Sequence, residues 1–263
     1  MDRYEQIEYL ISYLLQEMPQ YQVEASSFDK GEVSQRRLLR SLMNVRMPMP
    51  LNKEFLEVQD ALLQQEAATK GIVEITALKP IQGEQLYVWQ GDITRLKVDA
   101  IVNAANSQML GCFVPCHGCI DNAIHSAAGL QLRDACSQIV KKQGREEPVG
   151  QAKITPAYNL PAKYVIHTVG PIIYDAVHDK EEKELYSCYH SCLLLAQQNH
   201  LKSIAFCCIS TGEYHYPNEA AAVTAVKAVK DFLFETKSEM KVIFNVYKDI
   251  DADIYRTVLQ SDQ

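Results

Sequence analysis

Between Ile101 and Gly129 the chain reads IVNAANSQMLGCFVPCHGCIDNAIHSAAG, and its reactive side chains crowd together there. Cys112, Cys116, His117 and Cys119 put three thiols and an imidazole into eight positions. Soft thiolate and imidazole donors in a short loop can wrap one ion, and Zn²⁺ suits that donor set. With Cys112, His117 and Cys119 as ligands, a fourth coordination position stays open to water or substrate. With Cys116 added, the site closes and the metal becomes structural. Adjacency to His117 turns Cys116 elsewhere, yet spacing alone also allows four ligands or simply free loop cysteines. An oxidisable thiol pair is a further reading that nothing outside the cysteines supports.

Other polar residues sit near that loop or in matching places along the chain. Asn103 and Asn106 offer paired donor and acceptor groups suited to sugar hydroxyls. Asp121 falls where the cysteine loop gives way to a helix. Its position favours a helix N-cap over a catalytic carboxylate that orients water. His125, one turn on, reads as a buried structural hydrogen bonder rather than a ligand. Ser210, Thr211 and Gly212 lie between an apolar strand and the Pro217-Asn218-Glu219 helix start. They form a candidate anion cradle, in which small residues let backbone N–H groups approach a diphosphate. Asp92 is either a partner for an exocyclic amine or a turn former. Cys136, Cys188, Cys192, Cys207 and Cys208 fall in helix or strand patterns and read as core.

These residues need a scaffold, and the hydrophobic pattern supplies one. Tyr4, Ile7, Leu10, Ile11, Leu14 and Met18 recur at helical spacing, as do Val33, Leu38, Leu39, Leu42 and Met43. The MPMPL break at 47–51 precedes a third helix carrying Phe55, Leu56, Val58, Leu62 and Leu63. Residues 1–71 therefore read as an all-helical extension, either a stabilising cap or a contributor to the cleft. From Ile72 to 263 strands alternate with helices. Strands are expected near 72–76, 85–89, 98–102, 151–156, 163–168, 203–209 and 241–247. Helices are expected near 121–141, 181–199, 218–236 and 250–260. That alternation implies a three-layer α/β fold with a mostly parallel sheet. The NLPAK turn adds one antiparallel hairpin, which makes the sheet mixed. Ligands in such sheets bind beyond the carboxyl ends of the strands, where the 91–94, 103–121 and 210–217 clusters converge.

Composition bounds the partners. The 263 residues are 47% hydrophobic and 22% charged, enough for a substantial core. A net charge of −7 excludes the basic footprint that a nucleic acid polymer requires. No apolar run approaches the roughly 20 residues of a membrane span. The opening MDRYEQIEYL is acidic where an export signal is basic and apolar, so reduced cysteines and a cytoplasmic location are expected.

Taken together, GDIT at 91–94, VDAIVNAAN at 98–106, DNAIHSAAG at 121–129, YVIHTVGP at 164–171 and ISTGEYHYPNEAA at 209–221 resemble the macrodomain family. GCFVPCHGC replaces the glycine-rich run common in hydrolytic members, and so resembles the zinc-dependent class often linked to a sirtuin-type ADP-ribosyltransferase. The helical N-terminal extension also fits that class. The resemblance implies a three-layer α/β/α macrodomain over roughly 72–260 with an ADP-ribose cleft. Asp92 would contact adenine beside Ile93, and Asn103 and Asn106 would face the distal ribose. Cys119, Ile120 and Asp121 would line the cleft at the helix head. Ser210, Thr211, Gly212, Glu213 and Tyr214 would hold the diphosphate.

Zinc on Cys112, His117 and Cys119 is the implied cofactor, with Cys116 outside the set. The implied activity is hydrolysis of the glycosidic bond of mono-ADP-ribose on a modified protein side chain, with Asp121 positioning water and Asn106 holding the ribose. The family context names a lipoylated glycine-cleavage H-like carrier protein as substrate. The alternative is a non-catalytic ADP-ribose reader with a structural zinc. Glu213 and His215 depart from the glycine or small apolar residues common there, and a carboxylate beside a diphosphate is unfavourable unless it points away.

Overall fold

The computed structural model of the chain describes residues 1–261, the side chain of Ser261 excepted, so the last two positions of the 72–263 segment lie outside the described residues. Helix α1 (Arg3–Glu17) starts at a capping box in which Asp2 accepts from the Glu5 N–H and Glu5 accepts from the Asp2 N–H. Helices α3 (Glu32–Val45) and α4 (Lys53–Lys70) follow the expected apolar spacing. A short α2 (Gln22–Ser26), too brief for periodicity to reveal, precedes them. Ile7, Leu10, Leu14, Leu39, Leu42, Phe55 and Leu62 close into a core separate from that of the sheet, with Leu130 inserted from the other segment. At the proline-rich break Arg46 is buried. It pairs with Glu17 at 2.6 Å and donates to the carbonyls of Met49 and Pro50, groups no helix satisfies there.

The rest of the chain builds a six-stranded sheet. Its strands are β2 (Leu86–Gln90), β4 (Ala100–Ala105), β5 (Ala152–Pro156), β6 (Tyr164–Val169), β7 (Ser203–Phe206) and β8 (Lys241–Val246), after the short β1 (Val73–Glu74) and with β3 (Leu96–Lys97) between β2 and β4. The spatial order is β2-β8-β7-β4-β6-β5, all neighbours parallel except β5 against β6, which is the hairpin the NLPAK turn implied. Ile101, Val102, Val165, Ile166, Ile204, Val242 and Ile243 are fully buried, as strands covered on both faces require. Helices α5 (Ile120–Ala128) and α6 (Leu130–Gln143) cover one face. Helices α7 (Asp179–Gln198), α8 (Asn218–Thr236) and α9 (Asp249–Ser261) pack side by side on the other, α7 and α8 being the crossovers between the parallel strands β6, β7 and β8.

Three expectations need correction. The strand near 72–76 is only β1, which pairs with β3 apart from the main sheet, before the chain turns through a 3₁₀ segment at Ile75–Ala77. The strand near 203–209 stops at Phe206. The single helix near 121–141 is two, broken at Gly129 with φ +98°, where an added Cβ would lie within 3.0 Å of Gln131, Gln59 and Asn159. Only glycine accepts both that backbone angle and that closeness.

Candidate functional site

The carboxyl ends of β2, β4, β7 and β8 open into one cleft of about 810 Å³. Asp92 and Ile93 line it after β2, and Ala104, Ala105 and Asn106 at the end of β4. Cys207 through Tyr214, Cys208 included and Ile209 excepted, follow β7, and Asn245, Tyr247 and Lys248 close the rim. Cys112, His117, Cys119, Ile120 and Asp121 form the facing wall, so all the expected site residues but Asn103 meet on one surface. Asn103 is fully buried behind that wall and acts through a neighbour, its amide donating to Asp121 Oδ1 at 2.7 Å.

The 106–119 loop leaves β4 in a tight arc. Asn106 turns its side chain back into it, donating to the Gly111 carbonyl at 3.2 Å and accepting from the Gln108 N–H at 3.1 Å. Each amide group of Asn106 keeps a second hydrogen or lone pair for a ligand. Gly111, at φ +79°, packs against the His125 ring, which a Cβ would meet at 2.9 Å. The arc brings the ligand atoms of Cys112, His117 and Cys119 within 4.8 Å of one another, with Cys112 Sγ 3.7 Å from His117 Nδ1. The other ring nitrogen of His117 faces Glu213 Oε1 at 3.6 Å, so this carboxylate turns toward the thiol loop across the cleft mouth. Cys116, at φ 53°, turns its thiol away to Ser41 Oγ at 3.3 Å and the Arg37 carbonyl at 3.5 Å.

Two readings of helix α5 change. Cys119, not Asp121, is the N-cap, its Sγ accepting from the Asn122 N–H at 3.4 Å, and Asp121 lies inside the first turn. Nor does His125 make a structural hydrogen bond. Both its nitrogens are without such a partner among the described residues, and Nε2 stands 3.4 Å from Asp121 Oδ1. Burial pushes the Asp121 carboxyl up to about 6, against the Asn103 hydrogen bond and the Arg133 charge, which lower it. At neutral pH the carboxylate form still prevails. Burial likewise carries the neighbouring His167 down to about 3, leaving it a neutral ring that Thr155 Oγ1 contacts at 3.0 Å.

The donor set fits a divalent ion. Burial pushes the Cys119 thiol up to about 12, the Asn122 N–H works against that, and the Cys112 thiol and Asp121 carboxyl push it further. A thiolate forms in so buried and crowded a place only with a cation beside it, and a divalent ion on Cys112, His117 and Cys119 would supply that charge. A second group, His125, Cys136 and His167, also lies within 4.8 Å, but it is wholly buried beneath the wall.

The 207–217 loop needs no glycine to turn: Ser210 takes φ 65° and His215 φ 57°. Thr211 N–H reaches the Cys208 carbonyl, and Tyr216 N–H the Ser210 carbonyl at 2.9 Å. Asp92 spends one oxygen on Thr94, accepting from its N–H at 3.0 Å and its hydroxyl at 2.6 Å. The second oxygen stands 3.9 Å from Lys70 Nζ.

Sequence reasoning missed Arg40, Asn218, Lys248 and Asp251, which also line the cleft. Arg40 comes from α3, and nothing in its spacing there distinguishes it from a solvated arginine. Its guanidinium donates to Asn122 Oδ1 at 2.7 Å and to the His117 carbonyl at 3.3 Å.

Comparison with known proteins follows the same geometry. The Macro domain family model matches residues 102–225. A protein-ADP-ribose hydrolase of Treponema medium is 52% identical over 254 residues, covering 95% of this chain and 97% of its own. The Oceanobacillus iheyensis macrodomain with ADP superposes with a TM-score of 0.62 at 38% identity, over 67% of this chain and 90% of its own. The Trypanosoma brucei macrodomain in complex with ADP-ribose gives 0.65 at 30% identity, over 80% and 92%.

Proposed function

The chain belongs to the Macro domain family, and from that premise we propose that it is a zinc-dependent hydrolase removing mono-ADP-ribose from modified protein side chains. The observation that carries the reading is the convergence of Cys112, His117 and Cys119 within 4.8 Å on the wall of an ADP-ribose-sized cleft, beside a buried carboxylate.

Cys112, His117 and Cys119 would hold the ion. When bound, zinc would supply Lewis acidity toward a distal-ribose hydroxyl or a water. Asp121, held by the Asn103 amide, orients and accepts a proton from the water that attacks the anomeric carbon. Asn106 holds the ribose with the hydrogen and lone pair its loop contacts leave free. The Asp92 oxygen not bound to Thr94 would take the adenine amine beside Ile93. Backbone N–H groups of Gly212, Glu213 and Tyr214 would face the diphosphate, and Glu213 leaves them room by turning its side chain to His117.

The non-catalytic reader needs Cys116 as a fourth ligand, whereas its thiol lies against Ser41 and Arg37. The proposed substrate class is a mono-ADP-ribosylated protein. A lipoylated glycine-cleavage H-like carrier modified by a sirtuin-type transferase is the member the family resemblance favours. No helix among the described residues is long and apolar enough to cross a membrane. Eight cysteines free of disulfides suit a reducing compartment, so the cytoplasm is the proposed location.

The test measures zinc content and ADP-ribose release from a mono-ADP-ribosylated protein for wild type, Cys112→Ala and Asp121→Asn. Cys112 is preferred to Cys119 because Cys119 also caps α5. Zinc in the wild type, its loss together with turnover in Cys112→Ala, and a roughly 10²–10⁴-fold fall in kcat in Asp121→Asn are expected. Full turnover by folded, metal-free Cys112→Ala rejects the zinc role. ADP-ribose binding without release by the wild type makes the protein a reader.

A further inference from the structure

The proposed metal loop is not held by its own bonds alone. Cys116 sits in the left-handed backbone region, which a residue with a Cβ rarely takes unaided, midway between Cys112 and Cys119. Its N–H is bound by Asn44 Oδ1 of α3 at 2.9 Å. One position on, the His117 carbonyl accepts from Arg40 of the same helix at 3.3 Å, and that guanidinium also holds Asn122 Oδ1 at 2.7 Å. Asn122 returns the contact, donating to the Val114 carbonyl at 3.0 Å, and Asn44 reaches α5 by donating to Ser126 Oγ at 3.0 Å. Both α3 residues therefore grip the backbone that sets the directions of the three donors.

We propose that Arg40 and Asn44 are positioning residues for the metal, and that docking of the N-terminal helical layer assembles the ligand set. The inference rests on the zinc reading above. Asn44 Oδ1 is the group that stabilises the turn at Cys116, so that Cys112 and His117 meet on one side of the loop and Cys116 anchors it on the other. Arg40 fixes the peptide that carries His117. Without the two contacts the loop keeps its ligands but not their mutual geometry, and the metal binds to a preorganised site only when α3 is in place.

The experiment uses the full chain and two metal readouts. One is zinc affinity by chelator competition, and the other is the thiolate charge-transfer and ligand-field spectrum of the Co²⁺-substituted protein. ADP-ribose affinity and circular dichroism are measured in parallel. Asn44→Ala and Arg40→Gln are expected to weaken zinc at least ~10-fold and to flatten the tetrahedral Co²⁺ bands. Asn44→Ala should keep its helix content and bind ADP-ribose within about threefold of wild type, because Asn44 lies outside the cleft.

Asn44→Asp keeps the acceptor for the Cys116 N–H; Ser126 turns its one hydroxyl hydrogen from Asn122 Oδ1 to the new carboxylate, and Arg40 still holds Asn122, so this variant should recover the wild-type spectrum. Should Asn44→Ala fail to fold, the half-exposed Arg40 decides through Arg40→Gln. Wild-type zinc affinity and spectrum in the folded variants overturns the inference and leaves the zinc reading standing. Equal loss in Asn44→Asp and Asn44→Ala also overturns it, by assigning Asn44 a packing role. A wild type that takes up neither metal overturns both.

Discussion

Across the cleft, residues 207–217 hold their own shape, while the 106–119 loop is held largely from outside. In the first, Thr211, His215 and Tyr216 donate to the carbonyls of Cys208, Gly212 and Ser210, while Ile173 N–H reaches the Tyr214 carbonyl and the Cys208 thiol the Asn245 carbonyl from neighbouring segments. In the second, the Cys116 N–H is bound 72 residues away and the His117 carbonyl 77 residues away, both on α3. A loop proposed to receive an anion on its own backbone amides can be encoded by its neighbours along the chain. A loop proposed to point three side chains at one ion gains from an external brace, because the backbone that sets their directions is otherwise tied at few places. The helical layer thus belongs to the site as well as to the stability of the fold.

The sharpest way to break this contrast is at Arg133, which lies behind the braced loop. It is 3% exposed. It donates to the Leu110 carbonyl in that loop and to the carbonyls of Met43, Asn44 and Arg46 at the end of α3. Arg133→Met should cost about 3 kcal/mol or more in denaturant titration, since several buried carbonyls lose a charged donor together. Zinc affinity should fall with it. A stability change under 1 kcal/mol would remove Arg133 from the brace.

A milder probe cuts the contact between the two loops. Glu213→Ala takes the carboxylate from the far nitrogen of His117, and zinc affinity is expected to drop about tenfold. ADP-ribose should bind no more weakly, because a negative charge has left the diphosphate side. A weaker ADP-ribose complex would show that Glu213 serves the ligand instead.

In the self-held loop, Ser210→Gly should shift stability by no more than about 1 kcal/mol, toward greater stability if relief of the left-handed φ dominates, and leave zinc binding untouched. Chelator competition and thermal melts test it. Zinc loss in this variant would mean that the two loops are not independent.

The smallest effect concerns the back of the helical layer. Burial raises the Glu66 carboxyl, but hydrogen bonds and charge from Arg36 and Arg3 outweigh it and hold the group below the ordinary glutamate value. A carboxylate with a depressed folded pKa contributes stability above the unfolded value and loses it as pH falls through the folded one. Denaturation midpoints measured from about pH 5 down to pH 3 should therefore fall more steeply in wild type than in Glu66→Gln. Identical slopes would rule the network out as a source of acid sensitivity.

Much of this was readable along the chain. Alternating apolar strands and helices announced a mixed sheet because buried parallel strands have to be β-branched runs, as Ile101-Val102 and Val165-Ile166 are. The crowding of Cys112, His117 and Cys119 was legible because their spacing is local. Less local features were not. Asn103 and Asn106 look alike in sequence, yet one is sealed behind the wall and the other lines it. The helix break at Gly129 depends on Gln59 and Asn159 approaching from distant segments. Asp121 looked like a cap until Cys119 took that position.

By itself, then, the sequence determined the α/β order, the carboxyl-end rim and the set of donors able to hold an ion, all of which follow from short-range periodicity and residue chemistry. Tertiary structure alone decided that Cys116 faces Ser41, that Arg40 enters the cleft and that Asp121 is buried against Asn103. Those outcomes depend on which segment packs against which, and a helix more than seventy residues upstream leaves no mark on the local pattern it comes to brace.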